Sequence, residues 1–140
     1  MENVISEQLA LEQAEALYEH YEIDPRDYGE SSTRNSMEAA RNRLVRAICK
    51  GRVSVNVESR DEMVIQILKN EIGEKDPITK LTYREVDARS KIGSTESDDN
   101  HSKMYNFLGN LSGAGLGTIL KLRGVDLGVA ETLGAIFLQV

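Results

Sequence analysis

The feature that most constrains the fold is a change in the spacing of apolar residues at Gly51. Before this glycine, apolar residues recur at three- and four-residue steps in two charged segments, which is typical of amphipathic helices. After it, Val53, Val55 and Val57 alternate with polar residues, which is typical of a half-buried strand. Helical spacing returns towards the C-terminus. This order of helices, then strands, then helices predicts an α+β fold.

The first 51 residues predict two helices. The first covers about 6–22, with Ser6 as its N-cap. It ends before Pro25 because the residue preceding a proline avoids the helical region. The second helix covers about 33–50. Gly51 follows it, at the position where a left-handed residue commonly ends a helix.

Three strands are predicted next, at 53–57, 63–68 and 78–83. Their connections are short and polar, and short connections between sequential strands favour an antiparallel meander. Two or three C-terminal helices are expected to cover one face of this small sheet.

The C-terminal part of the chain begins with a polar segment at 93–102, which predicts a solvated loop. Helices are expected at 103–111 and 116–122, and a last helix is expected to be capped by Asp126. The glycine-rich segment Gly113–Gly117 has a helix before it and lacks the spacing of a dinucleotide-binding loop. It is therefore predicted to connect two helices rather than to bind phosphate.

A chain of 140 residues has the size of one domain. The pattern divides it into a charged helical N-terminal extension at 1–51 and a core of sheet and helices at 52–140. The single cysteine, Cys49, has no disulfide partner in the chain and is expected to be a small core residue. No apolar stretch approaches the roughly 20 residues that span a bilayer, and no signal-peptide pattern is present. A cytoplasmic location is expected.

Charge is distributed unevenly along the chain. The net charge is -6, yet residues 1–33 carry a balance of -8 and residues 34–52 carry +5. Opposite blocks this close can attract each other within the fold or between copies of the chain, or they can form two solvated helix faces. The overall acidity and the lack of aromatic residues among the bases argue against nucleic acid as a partner.

Side chains suited to catalysis or metal binding are sparse. His20 and His101 are the only histidines, and their contexts, a helix end and a polar loop, predict exposure. A metal or nucleophilic site would need them to converge with Cys49 and a carboxylate. No cofactor, metal site or enzymatic activity is therefore expected.

The best interaction candidate is the segment Tyr83-Arg84-Glu85 at the end of the third strand, because tyrosine and arginine are common interface anchors. The alternative is that Tyr83 closes the core while Arg84 and Glu85 remain solvated. The exposed edges of a three-stranded sheet can also accept a partner strand or a second copy of the chain.

Three segments in the last 60% of the chain resemble the tail assembly chaperones of long-tailed bacteriophages. The first is the apolar strand Val64–Leu68 followed by Ile78–Glu85, and the second is a polar region with a helix that ends in Leu111–Gly113. The third is the aspartate-led apolar helix Val125–Leu138. The resemblance implies a non-enzymatic chaperone in the host-cell cytoplasm that binds the tape measure protein and/or tail tube subunits.

Under this resemblance, the C-terminal helices are expected to offer an apolar groove to the client. The expected partner-binding residues are Tyr83, Arg84, Glu85, Phe107, Leu133 and Phe137. Two other functions stay open. One is a structural virion subunit, such as a connector or capsid-associated protein. The other is a small acidic regulator of a host protein, in which residues 1–33 imitate the charge of nucleic acid.

Overall fold

The computed structural model describes residues 3–28, 32–92 and 100–140. It confirms the predicted α+β fold, with two N-terminal helices, a three-stranded antiparallel sheet and C-terminal helices. In chain order the elements are α1 (Glu7–His20), a 3₁₀ turn (Pro25–Tyr28), α2 (Ser32–Cys49), β1 (Val53–Val55), β2 (Val64–Ile72), β3 (Ile78–Tyr83), α3 (Ala88–Lys91), α4 (Asn100–Ser112), α5 (Leu116–Ile119) and α6 (Val125–Phe137).

The two N-terminal helices begin and end close to their predicted positions. The Ser6 hydroxyl accepts a hydrogen bond from the backbone N–H of Leu9 at 3.3 Å, which confirms Ser6 as the N-cap of α1. Pro25 begins the 3₁₀ turn after α1. Gly51 has a φ of 74°, so the predicted left-handed residue does follow α2.

The sheet is the predicted meander, with strand order β1-β2-β3. Its strands differ in length from the prediction. β1 stops at Val55 because the Asn56 side-chain oxygen accepts a hydrogen bond from the N–H of Glu58, which turns the chain away. Val57 therefore lies outside the strand. β2 continues four residues beyond the predicted end at Leu68, across a register shift between Ile67 and Ile72.

Asp126 corrects one prediction, because it is not the N-cap of the last helix. Gly124 occupies that position, and Asp126 lies in the first turn of α6 with 1% of its surface exposed. Its carboxylate oxygens accept hydrogen bonds from the backbone N–H groups of Lys69 and Asn70, each at 2.8 Å. Both groups lie inside the register shift of β2, where a strand partner is not aligned to receive them. Asp126 therefore links α6 to β2 through these two hydrogen bonds.

α2 lies at the centre of the packing, between α1 on one side and α6 on the other. Its inward residues Met37, Ala40, Leu44 and Ile48 are buried in the same core as the sheet and the C-terminal helices. α6 also packs on β2, and α4 packs on β3 and α6. The first 51 residues are thus an integral part of the core.

The C-terminal helices depart from the prediction at their ends. Residues 93–99 of the predicted polar loop lie outside the described residues, whereas Asn100, His101 and Ser102 form the first turn of α4. These polar residues fit a first turn, where backbone N–H groups need partners other than the helix itself. α5 spans four residues instead of the predicted seven. Among the described helices, none is long and apolar enough to span a membrane.

Candidate functional site

Tyr83, the first residue of the predicted interaction segment, lies inside the core. Its exposed fraction is 0%, and its hydroxyl donates a hydrogen bond to Gln66 Oε1 at 2.8 Å. The Gln66 amide in turn donates to the backbone carbonyl of Asp126 at 2.9 Å. Burial raises the pKa of the Tyr83 hydroxyl well above its usual range. Tyr83 therefore completes a buried polar link between the sheet and α6 and presents no surface to a partner.

Arg84 and Glu85 follow Tyr83 and are engaged within the chain. The Arg84 guanidinium lies 3.5 Å from the Asp87 carboxylate and 3.4 Å from the carbonyl of Asn110. Glu85 contacts His20 Nε2 at 2.7 Å and Arg60 Nε at 3.1 Å. The hydrogen bond to His20, followed by that to Arg60, lowers the pKa of the Glu85 carboxyl.

We call residues 83–87 the β3–α3 junction. Its partly exposed side chains tie three parts of the molecule together, namely the end of α1, the turn before β2 and the end of α4. The backbone contributes as well, since the N–H of Val86 donates to the Tyr21 hydroxyl at 2.9 Å. The geometry fits the structural alternative for Tyr83, whereas Arg84 and Glu85 are half-buried and paired within the chain rather than solvated.

The other three predicted partner-binding residues are also in the core. Phe107 and Leu133 are 0% exposed and Phe137 is 1% exposed. The Phe137 ring lies 5.9 Å from the ring of Tyr83 and 6.4 Å from that of Tyr21. Contact between these side chains and a partner is incompatible with their burial in this fold. The apolar residues whose spacing suggested an exposed groove form the inward faces of α4 and α6.

The candidate catalytic side chains do not converge. His20 pairs with Glu85, whereas His101 lies 3.8 Å from Glu131 on α6. Cys49 is buried, as expected of a small core residue. No group of three or more metal-binding side chains occurs within residues 3–28, 32–92 and 100–140.

The glycine-rich segment is the predicted connection between helices. Gly113 and Gly115 have φ values of 71° and 86° and lie between α4 and α5. Gly109 of α4 allows the connection to fold back closely, because a Cβ there would lie 2.7 Å from the backbone of Gly115. The segment thus serves packing.

A concave surface that sequence reasoning did not identify lies between α2 and α6. We call it the α2–α6 groove. It has a volume of about 360 Å³ and a floor of the half-buried residues Ala47 and Val129, beneath which Leu44 and Leu133 are 1% and 0% exposed. Val125 at its mouth is 47% exposed, and Gly128 is exposed on its α6 wall. Exposed apolar surface in a concavity is typical of a binding site.

Five cationic side chains line this groove, and we call them the basic rim. They are Arg43, Arg46, Lys50, Arg52 and Lys69. Among the described residues, no carboxylate lines the groove and none of the five cations forms an ion pair. The sequence held a signal for this surface, because Arg43, Arg46 and Lys50 recur at helical spacing around Leu44 and Ala47.

The groove continues into a second, shallower concavity with which it shares Arg43, Gly128 and Thr132. Small side chains dominate the walls of this extension: Ser36, Ala39, Ala40 and Ala135. Glu131 also lines it, and its carboxylate accepts a hydrogen bond from the Tyr105 hydroxyl at 3.1 Å. The α2 wall therefore runs from Asn35 to Lys50, which is about 22 Å at the rise of an α-helix. This trough is long enough for a helix of about four turns.

The acidic residues of α1 lie elsewhere. Glu12, Glu15, Glu19 and Glu22 are exposed, and none forms an ion pair within the part of the chain that the structure describes. The predicted attraction between the acidic and basic blocks is thus not realised between these glutamates and the basic rim. The molecule presents two separate surfaces of opposite charge.

Comparison of this chain with protein-family models, with curated proteins and with solved structures gives no significant match.

Proposed function

We propose that this protein is a non-enzymatic assembly chaperone of the kind found in long-tailed bacteriophages, which holds a tape measure or tail tube protein in the host cytoplasm before assembly. The resemblance in three segments of residues 52–140 supports the class. The α2–α6 groove supports the mode of action, and it is the single observation that carries the proposal.

Two features of the groove support protein binding, namely its exposed apolar surface and its cations without ion-pair partners among the described residues. Its floor exposes apolar surface that would be more stable if covered. Its rim holds charges that would gain from carboxylates on a partner. A protein segment can satisfy both at once. The β3–α3 junction differs, because Tyr83 is packed in the core and Glu85 is paired within the chain.

The test is to purify the protein under mild conditions from its native setting and to identify its partners by mass spectrometry, with the mass of the complex measured in parallel. We expect a tape measure or tail tube protein to co-purify with it, and we expect it to be absent from finished particles. Incorporation into particles at a fixed copy number would replace the proposal by the structural virion subunit. A homo-oligomer without either association would contradict both.

The acidic face of α1 favours a second candidate, a regulator that binds a basic site on a host protein. Glu12, Glu15 and Glu19 form an exposed stripe at helical spacing on α1, and Glu22 is exposed just beyond the end of this helix. None of the four forms an ion pair among the residues that the structure describes. Binding of this kind should weaken steeply with salt and be lost when the four glutamates are changed to glutamine. Retention of binding in that variant would exclude this candidate.

A further inference from the structure

We infer that the α2–α6 groove binds an amphipathic helix of another protein, with apolar residues on one face and acidic residues beside them. This inference rests on the proposed function and defines the chemistry of the client segment. It concerns a surface to which the N-terminal helices contribute as much as the C-terminal ones, through α2.

The shape of the trough suits the apolar face of a helix. The long walls of the trough are the helices α2 and α6, and Gly128 leaves the α6 wall open. An added Cβ at Gly128 would meet no atom within 4 Å. A third helix can therefore approach closely and insert side chains at i, i+3 or i+4 and i+7, as in other helix-in-groove complexes.

The charge of the basic rim suits acidic residues beside that apolar face. Arg43, Arg46, Lys50 and Lys69 are exposed around the floor, and Arg52 is half-buried beside it. A helix carrying Asp or Glu at the flanks of its apolar stripe would place carboxylates against them, whereas a basic helix would be repelled. The charge thus selects among amphipathic helices of equal hydrophobicity.

Two other occupants fit less well. Nucleic acid is disfavoured because the groove has an apolar floor and no aromatic lining residue on which a base could stack. The acidic helix α1 of a second copy carries the required charge, but its exposed leucines, Leu9 at 54% and Leu11 at 36%, both lie within the first turns of the helix. A client helix with several apolar anchors would bury more of the groove.

The test uses the full chain and a fluorescent synthetic helix of 18 residues, with leucines at positions i, i+3, i+4 and i+7 and glutamates flanking them. A second peptide carries lysine in place of each glutamate. We expect the acidic peptide to bind and the basic peptide to bind at least about tenfold more weakly in fluorescence anisotropy, a difference of roughly 1.4 kcal/mol. Equal binding of the two peptides would overturn the charge selection.

Two variants locate the binding. R46E/K50E reverses two charges of the basic rim, and G128E places a carboxylate in the trough at a position with room for it. Each should weaken the acidic peptide by about tenfold or more. The matched controls are K121E/R123E, an equal charge reversal at exposed residues outside the groove, and G117E, at another glycine with free space around it. Equal losses in controls and groove variants would overturn the inference.

Failure of the inference and failure of the proposed function are distinguishable. If the natural client still co-purifies with R46E/K50E and G128E, the chaperone function stands and its client binds elsewhere. If groove variants change the sedimentation mass of the isolated chain, the occupant is a second copy. Displacement of the acidic peptide by a single-stranded oligonucleotide at lower concentration than by unlabelled peptide would assign the groove to nucleic acid.

Discussion

The β3–α3 junction and the α2–α6 groove differ in how their polar groups are satisfied. At the junction, Glu85 contacts the His20 imidazole at 2.7 Å and the Arg60 guanidinium at 3.1 Å. At the groove, five cations surround an apolar floor and form no ion pair with any described residue. The charged groups of the junction are paired within the chain, whereas those of the groove form no ion pair with a described residue.

The difference shows how residue type alone misleads. Tyrosine and arginine at a strand end are equally suited to an interface and to an internal link, and here Tyr83 is used for the link. The arginines and lysines of α2 attract less notice in a sequence, because charged helix faces are common. Their functional meaning depends on the apolar floor between them, which α6 supplies.

The largest effect is expected for Phe137→Ala, which tests whether the predicted partner-binding residues are core residues. Phe137 is 1% exposed and packs against Tyr83 and Tyr21. Truncation should lower the free energy of unfolding by about 4 kcal/mol, as for other buried phenylalanines. Urea denaturation measures this loss. Leu120→Ala is the control, because Leu120 is 62% exposed and should lose less than about 0.5 kcal/mol.

A smaller loss is expected for Asp126→Ala, which removes the acceptor for two backbone N–H groups of β2. Leaving the amides of Lys69 and Asn70 without their charged partner should cost about 3 kcal/mol in urea denaturation. Asp126→Asn keeps one oxygen acceptor and should lose less. Asp61→Ala, an exposed acid in the turn before β2, should change little. Equal stabilities of Asp126→Ala and the wild type would contradict a stabilising link between α6 and β2 through Asp126.

Gly128 is expected to lower the stability of α6 relative to alanine, and the groove is the one feature that is expected to need a glycine there. An added methyl group meets no atom there, so Gly128→Ala should raise the free energy of unfolding by about 1 kcal/mol. Gly134→Ala is the matched comparison on the same helix. Its Cβ would lie 2.8 Å from Met104 Cγ, so it should destabilise instead. A loss of stability in Gly128→Ala would mean that the groove wall is already packed.

The sequence predicted the elements of this fold better than it predicted their surfaces. The change of period at Gly51 and the caps at Ser6 and Gly51 depend on neighbouring residues, and each appears in the structure. The role of Asp126 depends on a register shift 56 residues away, to which its own helix gives no clue. The groove likewise depends on the pairing of α2 with α6, which local patterns do not specify.

The smallest effect concerns the charged contacts of the junction and appears as pH dependence. The His20 hydrogen bond and the Arg60 contact lower the pKa of Glu85 below its ordinary value of 4.5. The folded state therefore binds this proton less readily than the unfolded state. The stabilisation is fully present above the ordinary carboxyl pKa and is lost as the pH falls below it.

Glu85→Gln should accordingly be less stable than the wild type at pH 7, by less than about 1 kcal/mol since the pair is partly exposed. The difference should shrink towards zero in acid, where the wild-type carboxyl is protonated as well. Other carboxyls with lowered pKa values, Asp24 and Asp87, titrate in both proteins and cancel in the comparison. Urea denaturation of both proteins from pH 7 to pH 3 measures the difference. A difference in the free energy of unfolding that stays constant with pH would contradict this prediction. It would show that Glu85 stabilises the junction by packing and hydrogen bonding, without a contribution from its charge.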